Sequence, residues 1–329
     1  MKNKTINYSS SLASILAGYV EEKRAVGYKY NKGASTLKLL DNLLVEKKFN
    51  EKILTKEIVL LWTKKKIGEK DSTRNARISL IKGVALYMVR LRYEAYIYPD
   101  KAAPVDRYHY VPYIFSEEEL AQIFTAADNI PYSSVSPVRH LTVSLLFRLL
   151  YGCGLRISEA LNLKIADVNL EDGILSIRQA KLEKDRIVPM SKSLIERCKK
   201  YSREAHRAYP QNPYFFPSPY GGRYSDKGIY DYFRRFLWSA GISHGGRGYG
   251  PRVHDLRHCH AVHCLKKWVK QGEDLTALLP YLSAYLGHVD LRGSQHYLRL
   301  TADLYPTIVS AVEANYSNLI PEVNSYESN

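Results

Sequence analysis

Four successive segments in the first hundred residues place apolar side chains three and four positions apart, a periodicity that admits helices packed face to face and little else. Residues 11–26 carry Leu12, Ile15, Leu16, Tyr19 and Val20 before Gly27, a plausible stop. Residues 34–48 repeat the pattern with Leu37, Leu40, Leu43 and Leu44. A third helix is expected at about 55–66, ending in Lys64, Lys65 and Lys66. The fourth, at about 72–93, pairs an apolar face (Ile78, Ile81, Ala85, Met88, Val89) with Arg74, Arg77, Lys82, Arg90 and Arg92.

This helical region is also the most basic part of the chain. The protein has 329 residues and a formal net charge of +15. Residues 1–100 hold 20 Lys or Arg against 10 Asp or Glu, so they supply +10 of it. Such an excess marks a nucleic-acid or acidic-membrane partner. A lone exposed lysine or arginine usually only solvates a helix, but the cluster makes Lys64, Lys65, Arg74 and Arg77 candidate DNA contacts.

Length favours two domains over one. Pro99, Pro104 and Pro112 interrupt periodicity between Tyr96 and Tyr113, which suggests an extended linker. The expected division is 1–98 as a helical DNA-binding domain, 99–113 as linker, and 114–329 as a second domain with a C-terminal tail. The second domain opens at Ser116-Glu117-Glu118-Glu119, a Ser-x-x-Glu capping box. Leu141 to Leu150 is apolar nearly all round and reads as a buried helix. Gly173 to Ile177 and Arg186 to Pro189 read as two short strands around a charged turn, and helices fill most of the rest. The fold class expected is mainly α with a small β-sheet. Cys153, Cys198, Cys259 and Cys264 lack paired C-x-x-C spacing, which gives a metal site or a disulfide framework little support. No signal-like or membrane-spanning apolar run is evident, so a reducing cytoplasm is the expected setting.

Two arginines, two histidines and a tyrosine stand out as a set suited to phosphodiester chemistry. Phosphoryl transfer loads charge onto non-bridging oxygens, so the site needs fixed cationic donors. Arginine's planar fork gives two parallel bonds to phosphate and stays charged. Arg156 follows Gly152-Cys153-Gly154, where a backbone can approach closely, while Arg257 lies one turn from His254 on an expected helix. Taken alone, Arg156 reads more simply as the salt-bridge partner of Glu159. A tyrosine can leave a covalent phosphotyrosine, yet composition selects none of the 27 tyrosines.

Four stretches then resemble one family: Tyr151 to Leu163 (YGCGLRISEALNL), Lys181 ahead of Lys184-Asp185-Arg186-Ile187-Val188-Pro189, His254-Asp255-Leu256-Arg257-His258, and Leu286-Gly287-His288 with Tyr297 nine residues later. In order and spacing they resemble the tyrosine recombinases, or phage-integrase-type recombinases. The resemblance implies a SAM-like helical core-binding domain followed by an α+β catalytic domain. It implies that Tyr297 attacks the scissile phosphate and that Arg156 and Arg257 bind its oxygens. His254 would act in acid/base catalysis, Lys181 would protonate the departing 5′ oxygen, His288 would donate to the phosphate, and Glu159 would orient the set. Lys184 rivals Lys181, and Tyr281, Tyr285 and Tyr305 rival Tyr297 less closely. No cofactor or metal is implied. The partners implied are duplex DNA with a specific recombination site, further copies of the chain (a tetramer at synapsis), sister recombinases or accessory factors, and no membrane.

Two departures bear on subfamily. Ala180-Lys181-Leu182 replaces the usual glycines beside the lysine, and the lengthened segment before Leu286 resembles recombinases of transposons and other mobile elements. The tail, with Leu304, Ile308, Val309, Val312 and Leu319, either packs on its own domain or docks on a neighbour. Three other readings stand beside recombination: a type IB topoisomerase-like DNA-relaxing enzyme, an inactive DNA-binding regulator, and a basic protein of membrane surfaces.

Overall fold

The computed structural model describes residues 6–99, 111–178, 185–246, 249–288 and 297. The chain divides into two compact units, Met1–Tyr110 and Val111–Asn329. As expected, it is mainly helical with one small sheet.

Unit one holds α1 (Ala13–Ala25), α2 (Asn31–Glu46), α3 (Lys56–Thr63) and α4 (Asp71–Arg90). Their apolar stripes meet in one core containing Leu12, Leu16, Val20, Leu37, Leu44, Val59, Trp62, Ile81 and Met88. Each helix ends within a few residues of where periodicity places it, and at α3 a cap sets the start. Thr55 starts α3 by accepting a hydrogen bond from the Ile58 amide at 3.4 Å.

The reading of Arg77 as a DNA contact is corrected here. Its side chain is buried: Nη1 donates to the Trp62 carbonyl, Nη2 donates to the Lys64 carbonyl at 3.0 Å, and Nε and Nη2 hold Glu69 at 2.8 and 2.6 Å. Carbonyls at the C-terminal end of α3 lack helical partners, and a guanidinium with a paired carboxylate satisfies them. Arg74 shares the task, donating from Nε to the Thr63 carbonyl at 2.9 Å. Lys64 and Lys65 remain exposed, Lys65 beside Asp71 at 2.7 Å.

Unit two contains α5 (Glu117–Asp128), α6 (Arg139–Gly152), α7 (Ile157–Asn162), a three-strand antiparallel sheet, α8 (Lys192–Ala208), α9 (Asp226–Ser239), α10 (Asp255–Lys270) and α11 (Leu275–Leu286). The capping box forms as read: Ser116 Oγ accepts from the Glu119 amide and Glu119 accepts from the Ser116 amide. Tyr113, expected in the linker, donates to Glu119 Oε1 at 2.5 Å. Helix α6 is buried through Val143, Leu146, Phe147, Leu149 and Leu150, which its all-round apolar sequence demands. Phe147 sits among Phe233 and Phe236 of α9.

The sheet comprises β1 (Val168–Asn169), β2 (Ile174–Ile177) and β3 (Arg186–Pro189) in that order. Leu175 opposite Val188 puts two buried residues on its core face, and Ile177 stands opposite Arg186. Residues 179–184, including Lys181 and Lys184, lie outside the described residues, as do Tyr305 and the tail. Helix α11 packs Leu279, Leu282 and Leu286 against Ala261, Val262 and Leu265 of α10, and Tyr297 is buried in the same cluster. Among the described residues no helix is long and apolar enough to cross a membrane.

Candidate active site

The site grows from a tight turn at the end of α6. Gly154 adopts φ +57°, and a Cβ there would lie 2.7 Å from Leu286 Cδ2 and 2.9 Å from His260 Cδ2, so glycine is required for both conformation and space. The turn delivers Arg156 to the N-cap of α7. Glu159 reaches back one turn: its Oε2 accepts from the Arg156 amide at 2.9 Å and its Oε1 accepts from Arg156 Nη1 at 2.6 Å. The salt bridge read from sequence therefore exists, and it coexists with a place in the cluster.

Arg257 enters from the first turn of α10 and is 1% exposed. Its Nη1 donates to the Gly154 carbonyl at 2.6 Å and its Nη2 donates to the Leu286 carbonyl. These bonds fix the fork where the α6 turn meets the end of α11 and bring Arg257 Nη1 to 4.0 Å from Glu159. His254 is the N-cap residue of α10, its ring 4.8 Å from that of His258.

Gly287 ends α11 in the left-handed conformation at φ +67°, and the next amide, of His288, donates to the Ser283 carbonyl at 3.0 Å. This C-cap needs a residue that tolerates positive φ, and it aims His288 at Tyr297. The two rings stack at 5.9 Å with 28° between planes. His258 also lies 5.5 Å from the Tyr297 ring. Arg257 also hydrogen-bonds the Tyr297 hydroxyl.

The electrostatics of this cluster are lopsided. Burial pushes the Glu159 carboxyl up, but Arg186 and then Arg156 outweigh it and hold the group at about 2, ionised at any working pH. Burial, then Arg257 and Arg156, push His254 down to about 4. His288 falls to about 4 by burial and the charges of Arg257, Arg156 and Arg186. Even Arg257 is brought down to about 10, chiefly by burial and then by Arg156. Burial raises the Tyr297 phenol, with Arg257 and Arg156 pulling the other way. The cluster thus sets one carboxylate against three guanidiniums, with two neutral imidazoles and a protonated phenol beside them, an arrangement short of negative charge and suited to a bound phosphate.

Five of the six residues read as catalytic, Arg156, His254, Arg257, His288 and Tyr297, converge here with Glu159; the sixth, Lys181, lies outside the described residues. Tyr285 takes a packing role, its ring stacked on His260 at 5.5 Å and its hydroxyl donating to the Pro189 carbonyl. Tyr281 is exposed. Sequence reasoning missed Arg186, read only as the first residue of a strand. Its Nη1 and Nη2 hold both Glu159 oxygens at 3.0 and 2.8 Å, and its Nε donates to the Tyr285 carbonyl at 2.8 Å. The available signal was an arginine at the strand end nearest the Lys181 turn. Among the described residues no group of three His, Cys, Asp or Glu side chains could hold a metal.

The chain is similar to known proteins in both sequence and fold. A sequence model of the phage integrase family matches residues 114–303. The integrase/recombinase y4rB of Sinorhizobium fredii (strain NBRC 101917 / NGR234) is 29% identical over 314 residues, covering 94% of this chain and 99% of that protein. Tyrosine recombinase XerA of Pyrococcus horikoshii is 32% identical over 192 residues, 58% of each chain. Among solved structures, the XerH site-specific recombinase bound to palindromic difH substrate is similar in fold, with TM-score 0.63 and 19% identity over 95% of this chain and 99% of that one.

Proposed function

Since this chain belongs to the phage integrase family and is a site-specific DNA recombinase, we propose that Tyr297 is its nucleophile and that Arg156, Arg257, His254 and His288 form the phosphate pocket. The observation that carries the reading is the convergence of Arg156 and Arg257 on a single buried carboxylate, with both guanidiniums also acting on the Tyr297 phenol. Phosphate entering this pocket would take over the Arg257 donor that now holds the phenol.

In the reaction the Tyr297 oxygen bonds to phosphorus, the bond from phosphorus to the 5′ oxygen breaks, and the phenolic proton passes to a neutral imidazole, for which His254 is assigned. The departing 5′ oxygen takes its proton from Lys181. His288 donates to a non-bridging oxygen. The resulting 3′-phosphotyrosine conserves the energy of the phosphodiester, so a 5′ hydroxyl from a second duplex reseals the strand by the reverse step. Glu159 touches no substrate and orients the arginines.

The substrate is duplex DNA carrying a recombination site, exchanged between copies of this chain assembled as a tetramer, and the service is integration, excision or transposition of a mobile element in the cytoplasm. The basic first unit, through Lys64 and Lys65, holds the duplex by phosphate neutralisation. The test traps the intermediate on nicked duplexes from the DNA flanking the gene. Wild type should give a denaturation-resistant adduct that Tyr297→Phe does not form. An adduct surviving in Tyr297→Phe refutes the assigned nucleophile, and tight binding without an adduct in either protein favours a regulator.

A further inference from the structure

The Arg186 guanidinium is the one charged group in the cluster with no role in the reaction as assigned, and it is placed where three segments meet. Its side chain is 8% exposed. Two of its nitrogens hold both oxygens of Glu159, the carboxylate that carries Arg156, and its third nitrogen holds the Tyr285 carbonyl in the last turn of α11, two residues from Gly287. The approach is close: a Cβ on Gly287 would lie 2.9 Å from Arg186 Nη1 and 3.0 Å from its Cδ. Glycine in Leu286-Gly287-His288 is thus demanded by positive φ and by the guanidinium packed against it.

We propose that Arg186 is a positioning residue of strand cleavage, which sets Arg156 through Glu159 and His288 through the end of α11 without touching DNA itself. The inference rests on the recombinase reading for what Arg156 and His288 do, but the linkage stands on geometry alone. A fork is required: a single ammonium cannot reach two carboxylate oxygens and a carbonyl on another segment in fixed directions. Arg186 also leaves Glu159 less available to neutralise Arg156, so more of that guanidinium's charge is open to phosphate. The groups facing His288 are Arg156 at the start of α7, Arg186 on β3, His254 and Arg257 on α10, and Tyr297. Removing Arg186 takes one cation from this set, and the imidazole then protonates at higher pH.

The test compares Arg186→Met and Arg186→Lys with wild type in three readouts: affinity for nicked duplex, single-turnover cleavage against pH, and the His288 imidazole titration followed by NMR. Arg186→Met should bind DNA within about threefold of wild type yet cleave about 100-fold more slowly, the cost of a misplaced donor. Its His288 titration should move to higher pH, while the acid limb of cleavage, set by His254, should stay in place. Arg186→Lys should keep the wild-type titration and recover only part of the rate. A wild-type rate in Arg186→Met overturns the proposal, as does an unmoved His288 titration with a rate loss that merely follows lowered melting temperature. If Arg186→Met does not fold, Arg186→Lys decides: slowed cleavage with a wild-type titration supports the role, and a wild-type rate refutes it. Because the titration needs no turnover, a wild type that forms no adduct would count against the recombinase reading and leave this linkage to be judged by NMR.

Discussion

Replacing Glu159 by glutamine keeps the shape of the side chain and removes the one negative charge from a buried cluster of three arginines. The folded state holds this carboxyl at about 2 against an ordinary 4.5, and at about 1.4 kcal/mol per unit the difference is about 3 kcal/mol. That agrees with the roughly 3–5 kcal/mol lost when one partner of a buried ion pair is removed. For a unit of this size it corresponds to a melting temperature lower by about 6–12 °C. The sign with pH follows from the depressed value: the stabilisation is complete above about pH 4.5 and disappears as pH falls towards 2. Wild type and Glu159→Gln should therefore differ by a constant amount near neutrality and converge in acid. Thermal unfolding from pH 7 to pH 2.5 measures this directly. Inorganic phosphate supplies the missing charge, so it should raise the melting temperature of Glu159→Gln more than that of wild type. A shift under 2 °C at pH 7, or a difference that does not shrink in acid, would refute the account of the cluster.

Two further outcomes follow from the same physics. His254 and His260 are held at about 4 by burial and neighbouring arginines, so below about pH 6.5 the unfolded chain takes up protons that the folded one refuses; stability should fall from pH 6.5 to pH 4, by as much as roughly 3 kcal/mol per histidine, and calorimetry showing a flat profile there would contradict it. In unit one, Lys64→Gln and Lys65→Gln should leave the melting temperature unchanged and each reduce the salt slope of DNA binding by about one, whereas Arg77→Gln should cost roughly 3–5 kcal/mol of stability through its stranded partner Glu69; the reverse assignment would restore Arg77 as a DNA contact.

The contrast between Arg77 and Lys64 marks where sequence reading stops. Apolar periodicity named α1 to α4, the Ser116 box named the start of α5, and the all-apolar run named α6, because each signal is local and physical. Arg77 and Lys64 both lie beside apolar positions in a basic stretch of sequence, and nothing local distinguishes them. What separates them is that the carbonyl ends of α3 fall within reach of one and not the other. Strand β1 was missed for a related reason: two residues carry no alternation, and only their pairing with Ile174 and Leu175 makes them a strand.

Arg186 shows the same limit at the site itself. Motif spacing brought out Arg156, His254, Arg257, His288 and Tyr297 because each sits in a run of recognisable neighbours. The partners of Arg186 lie 27 residues before it and 99 after it, so its role exists only once α7, β3 and α11 have met. Burying three guanidiniums around one carboxylate is unfavourable for folding alone, since each ion loses hydration that one counter-charge cannot return. A cluster of this kind is poorly explained as a device for stability. It is better explained by a ligand that brings the balancing charge, and the two oxygens of a phosphodiester bring it in the geometry an arginine fork is shaped to meet. The same imbalance keeps His254 and His288 neutral before DNA arrives, so one can accept the phenolic proton without first losing its own. Phosphate in the pocket should then draw both imidazoles up from about 4 toward the ordinary 6.5, so that His254 becomes a better acceptor of the phenolic proton while staying neutral near pH 7.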